Sequence, residues 1–170
     1  DGRLDDAERE LDEVLAAGLG TEIEREAWIK REAVRRARAG ETGFSAATLG
    51  WFDATATREA QTVALTSATE HTSGTARFVG AYLLGRALLG AGEPEAAATW
   101  LLRAVESADG VDSAPLLAEA HALRADSLTR LGRLDEARSA WQAVVALPSA
   151  PPDARGRAED GLARITWLAK

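Results

Sequence analysis

Few side chains in this sequence combine types and spacings that support chemistry. His71 and His121 are its two histidines, and they stand far apart. We expect His121 to be a hydrogen-bonded structural histidine on a packed helical face, and His71 to mark a helix end. No zinc-protease, phosphate-loop or dinucleotide motif is present, and no serine or threonine is framed by a base and its orienting acid. The sequence therefore predicts a non-enzymatic protein without metal ligands or a cofactor.

A basic cluster stands out because the chain is acidic overall, with a net charge of −7. The cluster comprises Lys30, Arg31, Arg35, Arg36 and Arg38. Two interpretations stay open. Cations are favourable near a helix C-terminus and can pair with Glu26 and Glu32 along the same helix. Alternatively, the cluster is a docking site for an acidic peptide or a carboxylate.

Five tryptophans could serve either core packing or ligand stacking. They are Trp28, Trp51, Trp100, Trp141 and Trp167. Trp141 occupies an apolar repeat position, which predicts a core residue. Trp100 lies beside an apolar stripe, which predicts partial exposure. Trp167 is expected to pack on the last helix or to meet a neighbouring chain.

Composition indicates a helical globular protein. Hydrophobic residues make up 46% and charged residues 28% of the 170 residues, and alanine, leucine, arginine and glutamate favour helices over strands. The negative charge argues against nonspecific binding to nucleic acid or to an anionic membrane. No apolar run approaches the ~20 residues of a membrane helix. Cysteine is absent, so the compartment stays open between cytosol and periplasm, and the excess of arginine over lysine indicates a bacterial, GC-rich genome.

Apolar residues recur at one spacing in three places, each time after a glycine. The series are Leu4, Ala7, Leu11, Val14, Leu15; Pro94, Ala97, Leu101, Ala104, Val105; and Leu134, Ala137, Trp141, Val144, Val145. This spacing places each series on one helical stripe. An internal repeat of this kind predicts an array of packed helices.

Small residues at fixed positions make the repeat specific. One unit carries Leu84, Gly85, Gly92, Ala97, Leu101 and Ala104, and the next carries Ala125, Gly132, Ala137, Trp141, Val144 and Pro148. With these residues the chain resembles the tetratricopeptide repeat family. The resemblance implies an all-α fold: a right-handed α-solenoid of about eight or nine helices in antiparallel pairs. Gly85, Ala97 and Ala125 are expected where two helix backbones come close.

The chain is predicted to be one repeat domain, 1–170. Residues 1–75 hold irregular repeats, 76–150 two clearer units, and 151–170 a capping helix. Helices are predicted over 3–17, over 21–39, from Thr42 through Trp51 and Phe52, and within 55–75. The packed face of the last of these is predicted from Ala56, Ala60, Val63 and Ser67.

The chain opens in mid-repeat, so we expect a fragment with a missing helix before Asp1. The apolar face of the first helix, Leu4, Leu11, Val14 and Leu15, must then be covered by the rest of the chain or by a second copy. The second alternative predicts a homodimer through this open N-terminal edge.

Tetratricopeptide repeats line a concave groove with the first helix of each pair. Carried over to this sequence, the resemblance implies partner-binding residues at Lys30, Val34, Val79, Tyr82, Arg86, Leu89, Glu119, Asp126 and Arg130. Val79, Tyr82 and Leu89 would form its one apolar patch. Some family members clamp a terminal carboxylate with asparagines, but this chain has no asparagine, so that clamp is not implied.

The resulting functional hypothesis is a non-catalytic scaffold that binds a peptide or a partner protein through the concave groove. A second hypothesis is a sensory or autoinhibitory segment of a larger bacterial regulator or enzyme.

Overall fold

The computed structural model describes residues 2–18 and 21–168. Within these residues the chain is all-α, with nine helices and no strand. The helices are α1 (Gly2–Ala16), α2 (Thr21–Arg38), α3 (Thr42–Gly50), α4 (Arg58–Glu70), α5 (Gly74–Gly90), α6 (Pro94–Glu106), α7 (Ala114–Arg130), α8 (Leu134–Ala146) and α9 (Pro152–Leu168). None of these described helices is both long and apolar enough to cross a bilayer.

Turn and cap residues mark the ends of several helices. Gly92 and Gly132 have positive φ angles of 83° and 73°, a conformation that costs glycine little because it has no Cβ. Pro94 stands in the first turn of α6. The Ser113 hydroxyl caps α7 by accepting the Leu116 N–H at 3.4 Å.

Helix α3 ends earlier than predicted. It stops at Gly50, and Trp51 and Phe52 lie in the turn that follows. The buried Gln61 side chain explains this end, because its amide donates to the Gly50 carbonyl at 2.9 Å and to the Asp53 carbonyl at 2.7 Å. These bonds fold residues 50–53 back onto the start of α4.

The packed face predicted for α4 is wrong. Its buried residues are Gln61, Leu65 and Thr69, whereas Val63 is 66% exposed. Leu65 is fully buried and sets the face. Thr69 follows on the same face, close to Gly80 of α5, where an added Cβ would lie 1.9 Å from the Thr69 hydroxyl oxygen.

Two connected clusters of apolar side chains form the core. The first joins residues from α2 through α7, including Trp28, Leu65 and Tyr82. The second joins residues of α6 through α9, including Trp141 and Ile165. Helices α6 and α7 contribute to both clusters, and each helix packs on the next one along the chain.

The last helix, α9, packs on α8 and α7. Ala158 and Ile165 are buried, while Trp167 is 72% exposed. Gly161 allows a close approach, since a Cβ there would lie 2.5 Å from the Trp141 ring. Residues 169 and 170 of the predicted capping helix lie outside the described residues.

Helix α1 has no buried residue. Leu4, Leu11, Val14 and Leu15 are each partly buried, and the helix packs mainly on α2. The apolar stripe of α1 is therefore covered in part by its own chain.

Candidate partner-binding surface

Helix α2 packs against both α5 and α7. Near the start of α2, Glu22 approaches Arg86 in the last third of α5, at 3.4 Å. Near the end of α2, Arg36 donates to the Thr75 hydroxyl at the start of α5, at 2.7 Å. The two helices therefore run in opposite directions.

A polar contact fixes α2 to the segment that leads into α7. The Trp28 indole N–H donates to an Asp112 carboxylate oxygen at 2.6 Å, and the same oxygen lies 3.5 Å from the Arg31 guanidinium. Trp28 and Ile29 are buried in the same core cluster as Val79. The apolar face of α2 thus packs against the surface that the resemblance assigned to a partner.

The predicted apolar patch on that surface is therefore wrong. Val79 and Tyr82 are fully buried, Leu89 is 6% exposed, and Val34 of α2 is 4% exposed. Val79, Tyr82 and Leu89 belong to the core because α5 packs against α2, α4, α6 and α7. Burial also raises the pKa of the Tyr82 hydroxyl, with smaller effects from Arg86, Glu119 and Arg25 nearby.

Four charged side chains line the surface that α2 leaves open, and we call them the charged strip. They are Glu119, Asp126, Arg130 and Arg157. Arg157 of α9 lies 3.4 Å from Glu119 and also contacts Asp126. Arg130 is exposed, and its closest hydrogen-bond partner is the Leu89 carbonyl at 3.5 Å. The structure therefore brings two predicted residues, Glu119 and Asp126, together at Arg157, and Arg130 lies about one helical turn beyond Asp126 on α7.

Arg157 is the residue of the strip that sequence reasoning missed. It belongs to the helix that was assigned a purely capping role. Ala158 and Ile165 are the buried residues of α9. Because Arg157 lies outside that apolar pair, the sequence of α9 could have indicated that its side chain faces outward.

Two further predicted residues, Lys30 and Arg86, lie apart from the strip. Lys30 pairs with Glu26 at 2.5 Å and stands over the Phe52 ring at 4.8 Å. Arg86 is exposed beside Glu22. Arg86 lines a separate cleft near Phe52, and Lys30 contacts the Phe52 ring beside it.

The basic cluster of α2 pairs partly within its own helix, as predicted. Lys30 contacts Glu26 at 2.5 Å, and Arg36 contacts Glu32 at 2.8 Å. These pairs have the (i, i+4) spacing that brings side chains together on a helix.

The remaining cations of the cluster hold the acidic helix α1. Arg31 contacts Asp12 at 3.1 Å, and Arg35 contacts Glu8 at 2.7 Å. Arg38 contacts both Asp5, at 3.1 Å, and Glu8. The hydrogen bond from Arg35 lowers the pKa of the Glu8 carboxylate. An acidic segment does dock on this cluster, and it comes from the same chain.

The tryptophans and histidines are mainly structural. Trp141 is buried, as predicted, and Trp100 is partly exposed. His71 caps the end of α4 as predicted, with its Nδ1 2.8 Å from the Ser67 carbonyl oxygen. His121 differs from expectation, because its buried Nδ1 has no hydrogen-bond partner among the described residues. Burial, with a smaller effect from Arg124, lowers its pKa.

No group of three or more potential metal ligands occurs in the described part of the chain. Comparisons with family models, curated proteins and solved structures found no match to this chain. The functional proposal therefore depends on the geometry of the surfaces just described.

Proposed function

We propose that this chain is a non-catalytic helical-repeat module, built like a short right-handed tetratricopeptide solenoid of antiparallel helix pairs, that binds a segment of a partner protein. The observation that supports it is the position of α2. An amphipathic helix packs on α5 and α7 with apolar residues inward and ion pairs at its edges, which is the arrangement of a helix bound in a groove.

The partner surface we propose is the charged strip. Within it, the Arg157 guanidinium is already paired with Glu119 and Asp126. Arg130 contacts a carbonyl oxygen at 3.5 Å, so its guanidinium keeps donors for a carboxylate of the partner. An arginine with free donors at an exposed surface is a good anchor because it can bind a carboxylate through two hydrogen bonds.

An Arg130→Glu variant tests this proposal. We expect proteins captured from a lysate by the parent chain to be lost with Arg130→Glu, because the reversed charge repels the partner's carboxylate. The matched control is Arg138→Glu on α8, a charge reversal at a residue that pairs only with Asp135 among the described side chains. Capture of the same proteins by the parent and both variants would contradict a binding site on the strip.

A substitution of Tyr82, which the resemblance also assigned to partner binding, would not test this surface. Because its side chain is fully buried, Tyr82→Ala would open a cavity in the core at a cost of ~3–5 kcal/mol, as measured for other large-to-small core substitutions. Lost capture would then report on folding and not on contact.

The second candidate function is a sensory or autoinhibitory segment of a larger bacterial regulator or enzyme. The contact between α1 and α2 favours it, because an acidic helix held by ion pairs and a partly buried apolar stripe, without a buried residue, can exchange with a competing acidic segment. This candidate requires α1 to detach without unfolding of the remaining helices.

A further inference from the structure

A cleft opens on the side of α5 that faces the turn between α3 and α4. We call it the aromatic cleft, and its wall is formed by Trp51, Phe52, Arg58, Leu83, Arg86 and Ala87. A cavity of about 320 Å³ lies against these residues. It adjoins a second cavity of about 470 Å³ that shares Trp51, Phe52, Arg58 and Arg86. Volumes of this size are typical of small-ligand pockets.

Each aromatic ring of this cleft has a cation over it, Arg58 within the cleft wall and Lys30 beside it. The Arg58 guanidinium stands 4.5 Å from the centre of the Trp51 ring, and the Lys30 ammonium stands 4.8 Å from the centre of the Phe52 ring. Stacking on a ring uses the flat face of a guanidinium. The N–H groups at the edge of Arg58 therefore remain free to donate to a ligand in the plane of the guanidinium.

Two acidic side chains around the cleft already accept hydrogen bonds from other residues. Asp53 accepts the Thr55 N–H at 2.8 Å and the Thr55 hydroxyl at 2.7 Å. Glu26 pairs with Lys30 at 2.5 Å. In the described residues, no carboxylate lies within 4 Å of the Arg58 guanidinium. Glu22, Glu26 and Asp53 themselves line the second cavity. Arg58 is therefore a cation with no carboxylate in ion-pair contact among the described residues, in a cleft whose wall also carries acidic side chains.

Arg86 adds a second cation with only a weak internal partner. Its contact with Glu22 measures 3.4 Å, and the Glu22 side chain is 74% exposed. An exposed ion pair of this kind contributes little. A ligand carboxylate could replace Glu22 at small cost.

The turn that carries the aromatic rings is held in place before any ligand arrives. The buried Gln61 amide binds both ends of residues 50–53, and the Asp53–Thr55 bonds close the next turn. A site whose loop is already ordered loses little conformational entropy on binding.

We propose that the aromatic cleft binds a carboxylate attached to an apolar or aromatic group. The carboxylate accepts hydrogen bonds from Arg58 and Arg86, and the apolar group packs on Phe52, Leu83 and Ala87. The ligand is either a free small acid or an acidic side chain next to an apolar one in a peptide. This site is separate from the charged strip, so either proposal can fail without the other.

Calorimetric titration of the full chain tests the proposal with 3-phenylpropionate and its neutral amide. The peptide source is represented by an end-blocked peptide containing adjacent phenylalanine and glutamate, with a glutamine peptide as its control. We expect at least one acid to bind about ten-fold or more tightly than its neutral control, because a charge-assisted hydrogen bond is lost in the control. Binding of 3-phenylpropionate would identify the ligand as a free small acid, and binding of the glutamate peptide would identify it as a peptide segment.

Variants locate that binding in the cleft. Arg58→Gln is expected to weaken binding of the acid about ten-fold. Arg58→Lys is expected to weaken it less, because lysine keeps the charge but loses the planar donors. Arg138→Gln, on α8, should change nothing. Circular dichroism of each variant shows that it is folded. Absence of saturable binding by either acid, equal binding of acid and neutral control, or unchanged binding by folded Arg58→Gln would overturn the proposal.

Discussion

Close approach between helices in this protein depends on individual glycines. An added Cβ at Gly85 would lie 2.5 Å from the Leu101 side chain and 3.3 Å from the Ala97 carbonyl oxygen. The carbonyl belongs to the backbone of α6, so relief would require the helices to move apart. Gly90, in the same helix, has nothing within 4 Å of the same added atom.

Gly85→Ala is therefore expected to lower the free energy of unfolding by ~1–3 kcal/mol, as overpacking does in other cores. Gly90→Ala is the matched control, and we expect it to raise stability by up to ~1 kcal/mol because alanine favours the helix. Urea unfolding of both variants measures the two effects. Equal stability of the two variants would show that α5 and α6 are not in close contact.

Single residues of the repeat could be predicted from the sequence where their partners lie close along the chain. The packing of Gly85 and Trp141 could be predicted from the repeat spacing, because each residue contacts the helix that comes directly after its own along the chain. The burial of Val79 and Tyr82 could not be predicted, because the helix that covers them lies some fifty residues earlier. The sequence around Arg58 does not indicate a ligand site, because the cleft in which this arginine lies is formed with the turn that precedes its helix.

At the scale of helices, α1 is the most weakly held element. It has no buried residue, and its polar contacts to α2 are the ion pairs of Asp5, Glu8 and Asp12 with arginines. In each pair at least one partner is 45% or more exposed, so salt screens these pairs and each contributes little individually. Helix α5, by contrast, has buried residues along its whole length.

We expect hydrogen exchange of the α1 amides to be faster than that of α5, and to accelerate further when NaCl rises from about 0.1 M to about 1 M, because the Debye length falls to ~3 Å. Glu8→Gln should accelerate α1 exchange at low salt, since Glu8 contacts both Arg35 and Arg38. Glu10→Gln, at an exposed site of the same helix, is the control. Protection of α1 equal to that of α5 at both salt concentrations would contradict a weakly held helix.

Helix positions were largely predictable, whereas two details of the N-terminal half were not. The end of α3 depends on the Gln61 side chain, which comes from the next helix. The packed face of α4 is set by Leu65 and by the contact between Thr69 and Gly80. Leu65 is the one apolar residue among the three buried residues of α4, and Gln61 and Thr69 are polar. Hydrophobic periodicity does not report tertiary contacts of such polar side chains.

At the scale of the whole molecule, the position of α2 decides which surfaces remain for a partner. It covers Val79 and Tyr82 and leaves the charged strip open on α7 and α9. The all-α class and the connected packing of successive helices follow from the repeat and from the composition. The placement of α2 does not, because its long-range contacts use single side chains such as Trp28 and Asp112.

A double-mutant cycle on Trp28 and Asp112 tests the placement of α2 most directly. Trp28→Phe keeps a large apolar ring and removes the indole N–H, and Asp112→Ala removes its acceptor. The two residues stand 84 positions apart and meet at 2.6 Å, so we expect a coupling of ~1–2 kcal/mol in the free energy of unfolding. Additivity within ~0.5 kcal/mol would contradict the contact that fixes α2 to the segment leading into α7.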